Sequence, residues 1–136
     1  MNPLLAVPEE FATLVQRFFA DRLLQQQNAS PKTIVAYRDT FRLLLNYAER
    51  ERGTPPAKLA LGDFDAQLIL DFLAHLETAR HNTVRTRNAR LAAIRAFAHY
   101  VALQCPPALA LVQQILAIPM KRFEKPLIGF LSREEM

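Results

Sequence analysis

Glycine, cysteine and long apolar runs are scarce in this sequence, and each shortage excludes a class of protein. Three glycines are too few to supply the tight turns of a hairpin-rich β-protein. The single cysteine, Cys105, excludes an internal disulfide and is too little for a zinc site. No stretch approaches the roughly 18 apolar residues of a membrane span, and residues 1–11 lack the features of a signal peptide. We therefore expect a soluble, cytoplasmic protein that uses no metal or other cofactor.

Acidic residues are absent from one long segment of the chain. Residues 81–104 contain four arginines and no aspartate or glutamate, and residues 30–52 also carry an excess of basic residues. Segments 1–29 and 53–80 are each net negative, although the whole chain has a formal net charge of +4. Because a soluble surface usually mixes charges of both signs, this segregation indicates a basic face and an anionic partner.

Residues that favour helices dominate the composition. The 136 residues fit one domain, and alanine, leucine, arginine and glutamine are frequent while β-branched residues are sparse. Apolar residues recur at helical spacing, and Ser30, Pro31 and Gly53 have the residue types of helix ends. We predict an all-α bundle of four to five helices. The predicted helices cover residues 8–26, 31–52, a third from Asp63 or Asp65 to about 80, 83–104 and 108–117.

Two of these helices begin in a similar way. "SPKT" at residues 30–33 and "TVRT" at residues 83–86 each contain a capping hydroxyl, a base and a threonine. A helix N-terminus carries free N–H groups and about half a positive charge, so it binds phosphate readily. Either start alone is typical of an ordinary capped helix. Two such starts, on the two basic segments, favour a phosphate-binding role.

The fourth helix has two faces suited to packing. Leu91, Ile94, Ala98 and Val101 form an apolar stripe, and a second face is made of alanines. We therefore predict a central helix whose later turns are clamped by neighbours and whose basic start protrudes. Arg95 interrupts the packed half, and we expect it to form an ion pair with an acid on the third helix.

Three motifs occur in order along the chain. They are Ser30, Thr33 and Tyr37; then "TRNARLAAIRAF" at residues 86–97; then Pro126 with "LSREE" at residues 131–135. Together they resemble the N-terminal, SAM-like core-binding domain of tyrosine recombinases, the family of phage integrases and Xer recombinases. The resemblance covers essentially the whole chain. It implies a helical half of a C-shaped clamp around duplex DNA, with the second and fourth helices at the major groove.

The resemblance also implies a division of the full-length protein. Residues 1–118 would form the DNA-binding domain, and residues 119–136 would be the linker and the start of a catalytic domain. Ser132 and Glu135 have the spacing of a capping box, so we expect the chain to continue into another helix. The nucleophilic tyrosine would lie in that catalytic domain, so these 136 residues should have no enzymatic activity. The whole recombinase would assemble as a tetramer on two DNA sites.

Nine side chains on the second and fourth helices are candidates for DNA contact. Those in the first turns would bind phosphates, which supply most of the affinity and little sequence selectivity. Three further along the fourth helix would reach base edges. The phosphate candidates are Lys32, Thr33, Arg85 and Thr86; the base candidates are Arg87, Asn88 and Arg90; Arg38 and Arg42 complete the set. We predict no catalytic or metal-binding residue.

Two other functions fit part of the pattern. A helix-turn-helix regulator requires two helices joined by a three- or four-residue turn. The gap between the second and third helices is too long for this, whereas the gap around His81 is short enough. A helical protein-interaction module would instead use the arginines to meet an acidic partner.

Overall fold

Helices account for most of the chain that the structure describes. The computed structural model describes residues 11–26 and 28–122, and no β-strand occurs in these two ranges. The α-helices are α1 (Phe11–Arg17), α2 (Pro31–Arg52), α3 (Ala66–Ala79), α4 (Val84–Gln104) and α5 (Leu109–Leu116). A π-helix, Phe18–Gln26, continues α1, and short 3-10 turns precede α3 and α5. The predicted all-α fold is therefore confirmed.

The first helix differs from the prediction of one α-helix over residues 8–26. It is α-helical to Arg17 and π-helical from Phe18 onward, and its predicted start at Pro8 lies outside the described residues. A π-helix bonds residue i to residue i+5, so residues five apart return to nearly the same face. Phe18 and Leu23 have this spacing and both are 1% exposed. The wider turn thus keeps both side chains in the core.

The ends of α2 and α3 follow from short-range chemistry. Ser30 caps α2 by accepting the N–H of Thr33, and Gly53 ends the helix with a φ of 69°. A residue other than glycine would be strained in that left-handed conformation. Asp65 rather than Asp63 caps α3, since its Oδ1 accepts the N–H of Leu68 at 2.9 Å. The predicted helix boundaries at these positions are confirmed.

The core is built around α4, as predicted from its two packing faces. α4 packs against α2, α3, α5 and the π-helix. Its Phe97 is fully buried, and its ring centroid lies 5.2–5.5 Å from those of four other phenylalanines. These are Phe11, Phe18, Phe41 and Phe64, which come from α1, the π-helix, α2 and the connector before α3. One aromatic residue therefore fixes α4 against four different parts of the chain.

Candidate nucleic-acid interface

The starts of α2 and α4 have the same hydrogen-bond arrangement. Ser30 Oγ accepts the N–H of Thr33 at 3.2 Å and bonds the Thr33 hydroxyl at 3.0 Å. Thr83 Oγ1 accepts the N–H of Thr86 at 3.1 Å and bonds the Thr86 hydroxyl at 3.2 Å. The similarity seen between "SPKT" and "TVRT" is therefore a similarity of structure, and both predicted caps are confirmed.

Both first turns present a positive surface. Neither contains an acidic residue, and the side chains of Lys32 and Arg85 are exposed. The capping hydroxyls use the N–H of the third helical residue, and earlier N–H groups of a helix point out along its axis. The start of α2 offers one such group fewer, because its first residue, Pro31, has no N–H. Each start therefore combines the positive end of a helix dipole with an exposed cation, which is the chemistry that binds an oxyanion.

Arg90 ties the two helices together near these starts. Its Nη1 donates to the carbonyl of Ala36 at 3.3 Å and to the hydroxyl of Thr40 at 3.1 Å. Ala36 is six residues after Ser30, and Arg90 is seven residues after Thr83. At 1.5 Å per residue, each capped start lies about 10 Å along its own axis from this shared contact. Each start therefore lies within about two helical turns of the Arg90 contact.

Arg38 and Arg42 lie on a different side of α2. Arg38 is two positions before Thr40, so their side chains point in roughly opposite directions from the helix axis. Both arginines line a groove of about 520 Å³ between the first helix and α2, together with apolar residues such as Phe19. Arg42 also forms an ion pair with Asp39 and has a side chain 67% exposed. The structure thus separates these two candidates from the side that faces α4.

Arg87 is buried, although the sequence placed it among the base-reading candidates. Only 6% of its surface is exposed, and its Nη1 donates to the carbonyl of Pro119 at 3.1 Å and to Asn88 Oδ1 at 3.2 Å. Its Nε is buried without a hydrogen-bond partner among the described residues. The guanidinium thus holds the chain that follows α5.

Asn88 makes the most specific contact of this group. Its Nδ2 donates to the carbonyl of Lys121 at 2.8 Å, and its Oδ1 accepts the N–H of Lys121 at 2.9 Å. The amide therefore pairs with both backbone groups of one residue. The Lys121 ammonium, in turn, pairs with Glu77 on α3 at 2.7 Å.

Arg95 does not form the ion pair that the sequence suggested. Its Nη1 donates to the carbonyl of Ile118 at 3.4 Å, and no ion pair with an acid of α3 is recorded for it among the described residues. The expectation was wrong because residues 118–121 pack along α4 and supply a backbone carbonyl to Arg95. These residues are 23–33 positions away in sequence from their partners on α4. We call Arg87, Asn88 and Arg95 together the anchor side chains. Sequence analysis missed residues 118–121 because no local pattern indicates where this segment packs.

Apart from Arg38 and Arg42, the candidates for DNA contact thus fall into two groups. Lys32 and Arg85 are exposed, and the hydroxyls of Thr33 and Thr86 take part in the caps. The polar groups of the base candidates bond within the chain, and Arg90 Nε is buried without a partner in the described part. Their contact with bases stays a prediction that nothing here tests, and in this structure they fix the position of α4.

Residues 11–26 and 28–122 contain neither a cluster of metal-binding side chains nor a membrane-spanning helix. No cluster of three or more histidine, cysteine, aspartate or glutamate side chains there could hold a metal ion. No helix within those ranges is long and apolar enough to cross a membrane.

Comparison with known proteins gives concordant results. The family described as "Phage integrase, N-terminal SAM-like domain" matches residues 15–104. Two proteins of Sinorhizobium fredii, each named "Putative integrase/recombinase" (y4rC and y4rD), are 49% and 43% identical over 125 residues. The aligned region covers 92% of this chain but only 38% and 44% of those proteins. No solved structure matches the chain significantly.

Proposed function

Because the chain belongs to the family of phage integrases with an N-terminal SAM-like domain, we propose that it binds duplex DNA as the core-binding part of a tyrosine recombinase. The observation that carries the proposal is the pair of helix starts. Two identically capped starts, each with an exposed cation and no acid, lie about 10 Å along their helices from the Arg90 contact. Such a pair can bind phosphates on one duplex.

Under this proposal some of the candidate side chains contact DNA and others orient α4. Lys32, Thr33, Arg85 and Thr86 contact phosphates at the two starts, while Arg38 and Arg42 contact DNA further along the exposed side of α2. Arg87, Asn88 and Arg90 orient α4, and reading of bases by these three requires that they leave their present partners. Sequence selectivity then depends on how α4 is positioned as well as on which side chains reach the groove.

The relatives support a proposal for the full-length protein. The chain spans about two fifths of each Sinorhizobium fredii protein, and both names include recombinase. We propose that DNA cleavage and rejoining use residues in the remainder of such a protein, that this segment is not itself catalytic, and that the recombinase acts as a tetramer in the cytoplasm. Residues 1–118 would be the DNA-binding domain, and residues 119–136 the linker that leaves it.

Charge removal at the two starts tests the proposal. Lys32→Gln combined with Arg85→Gln should lower duplex affinity and reduce the slope of log K against log salt by about two, since each phosphate contact contributes about 0.9. The matched control is Arg17→Gln with Lys58→Gln, which removes the same charge from exposed residues at α1 and the connector. Equal losses in the two double variants would show that binding follows net charge alone and would refute the proposed site.

Duplex-binding measurements on the unaltered chain separate the alternative functions. The link between α3 and α4, residues 80–83, is short enough for a helix-turn-helix, but such regulators bind symmetric half-sites as dimers. Equal affinity for a single half-site and for a palindrome argues against that arrangement. Duplex binding that is undetectable for the unaltered chain would instead favour the protein-interaction module.

A further inference from the structure

A small polar cavity lies between α2 and α3, apart from the capped starts. Its volume is about 80 Å³. Asn46 and Arg50 of α2 line one side, and His75 of α3 with Arg80 just after it lines the other. Phe72 and Leu76 are buried and form part of the apolar lining. We propose that this cavity is a binding site for one phosphate-type oxyanion.

The residues that line the cavity include two arginines and no acid. Arg50 Nη2 lies 3.1 Å from His75 Nε2. Because a guanidinium can only donate, His75 Nε2 is the acceptor of this contact and is not a donor to an anion. Arg80 is exposed and has no hydrogen-bond or ion-pair partner among the described residues. Two guanidinium groups and the Asn46 amide therefore face one cavity whose lining residues carry no negative charge.

Of the two nearby acids, Asp71 pairs with residues outside the cavity lining, whereas Glu51 pairs with the Nε side of Arg50. Asp71, one turn before His75 on α3, accepts from Arg52 at 3.2 Å and from Gln67 at 2.8 Å. Glu51 lies 3.5 Å from Arg50 Nε, on a side chain that is 49% exposed. Arg50 Nη1, the second N–H of Arg50 Nη2 and the whole Arg80 guanidinium are thus available to an anion.

The cavity is large enough for a small anion. About 80 Å³ exceeds the space that one ordered water needs, so a tetrahedral oxyanion fits. The apolar floor lowers the local dielectric constant and so strengthens the attraction between guanidinium and anion relative to bulk water.

The cavity lies close to the proposed DNA surface but does not depend on it. Asn46 is six residues after Thr40, or about 9 Å along α2 from the Arg90 contact, and Arg80 is three residues before the Thr83 cap. The oxyanion can therefore be a DNA phosphodiester or free phosphate. If it is a phosphodiester, the inference rests on the proposed function; free phosphate would require nothing of it.

Inorganic phosphate titrated into the full chain, at constant pH and ionic strength, provides the test. NMR signals of the Arg50 and Arg80 side chains and of the His75 ring should shift in a saturable manner. Arg80→Gln should weaken the fitted affinity about tenfold, because it removes a charge-assisted donor. Arg50→Gln should do the same. Lys58→Gln, which removes one exposed positive charge outside the cavity lining, is the matched control and should change the affinity less than twofold.

A duplex arm identifies the source of the oxyanion. If Arg80→Gln lowers the salt slope of duplex binding by about one, a DNA phosphodiester occupies the cavity. Saturable phosphate binding with an unchanged slope assigns the site to free phosphate. Shifts that do not saturate, or an equal weakening by Lys58→Gln, would overturn the inference even if the duplex binds well. Absence of duplex binding, by contrast, would remove the proposed function and leave the phosphate titration decisive.

Discussion

Replacing Asn88 with alanine should release residues 118–121 from α4 without unfolding the domain. The substitution removes two hydrogen bonds to Lys121, of 2.8 and 2.9 Å. A typical intramolecular hydrogen bond contributes about 0.5–1.5 kcal/mol. Water can replace part of this contribution because Asn88 is only half-buried, so we expect a loss of about 1–2 kcal/mol for opening of this segment.

Hydrogen exchange at the Lys121 amide measures this loss directly, because its N–H donates to Asn88 Oδ1. A loss of about 1.4 kcal/mol makes exchange about tenfold faster. Asn88→Asp keeps an acceptor for the Lys121 N–H but places a second oxygen opposite the Lys121 carbonyl, which has lost its donor, so only part of the protection should survive. Gln114→Ala, which removes an exposed side-chain amide from α5, controls for amide loss elsewhere. Unchanged exchange at Lys121 in Asn88→Ala would refute the reasoning.

Three further substitutions test other parts of the structure. Thr83→Ala should lower the free energy of unfolding by about 0.5–2 kcal/mol, because it removes the N-cap of α4; no change in a urea titration would contradict this. Arg90→Met should cost about 1–3 kcal/mol in the same assay, because it leaves Thr40 without its partner on α4; an equally stable variant would show that the contact is dispensable. Burial, and next the charges of Asp71 and Glu51, raise the pKa of Tyr47 above 10.0. The folded chain then holds this proton more tightly, so stability is full below pH 10 and falls as pH rises through the raised pKa. Tyr47→Phe should flatten this fall, and an unchanged alkaline profile would exclude Tyr47 as its source.

Local features of this fold could be predicted from the sequence, whereas contacts between distant segments could not. Thr83 caps α4 because its hydroxyl accepts the amide N–H three residues ahead. Such a cap can be predicted from four consecutive residues. The buried face of α3 could also be predicted, because Leu68, Phe72 and Leu76 recur at helical spacing. In the structure each of them is at most 1% exposed.

The anchor side chains show why part of the candidate site was not predictable. "TVRTRNAR" has the composition of a phosphate-binding start, but composition does not reveal that Arg87 is 6% exposed. Its partner, the Pro119 carbonyl, is 32 residues away. Every residue has a backbone carbonyl, so the residue types do not indicate which carbonyl Arg87 will bond. The π-helix was not predicted either, because no pattern of residue types indicates a change from i+4 to i+5 hydrogen bonding.

The salt dependence of duplex binding tests the central claim most directly. The measurement uses the unaltered chain of 136 residues and a mixed-sequence duplex, with affinity determined between about 50 and 200 mM salt. Contact of two to four cations with phosphates predicts a slope of log K against log salt between about −2 and −4. A slope near zero, or no duplex binding at the lowest salt, would contradict the claim that the capped starts of α2 and α4 bind DNA.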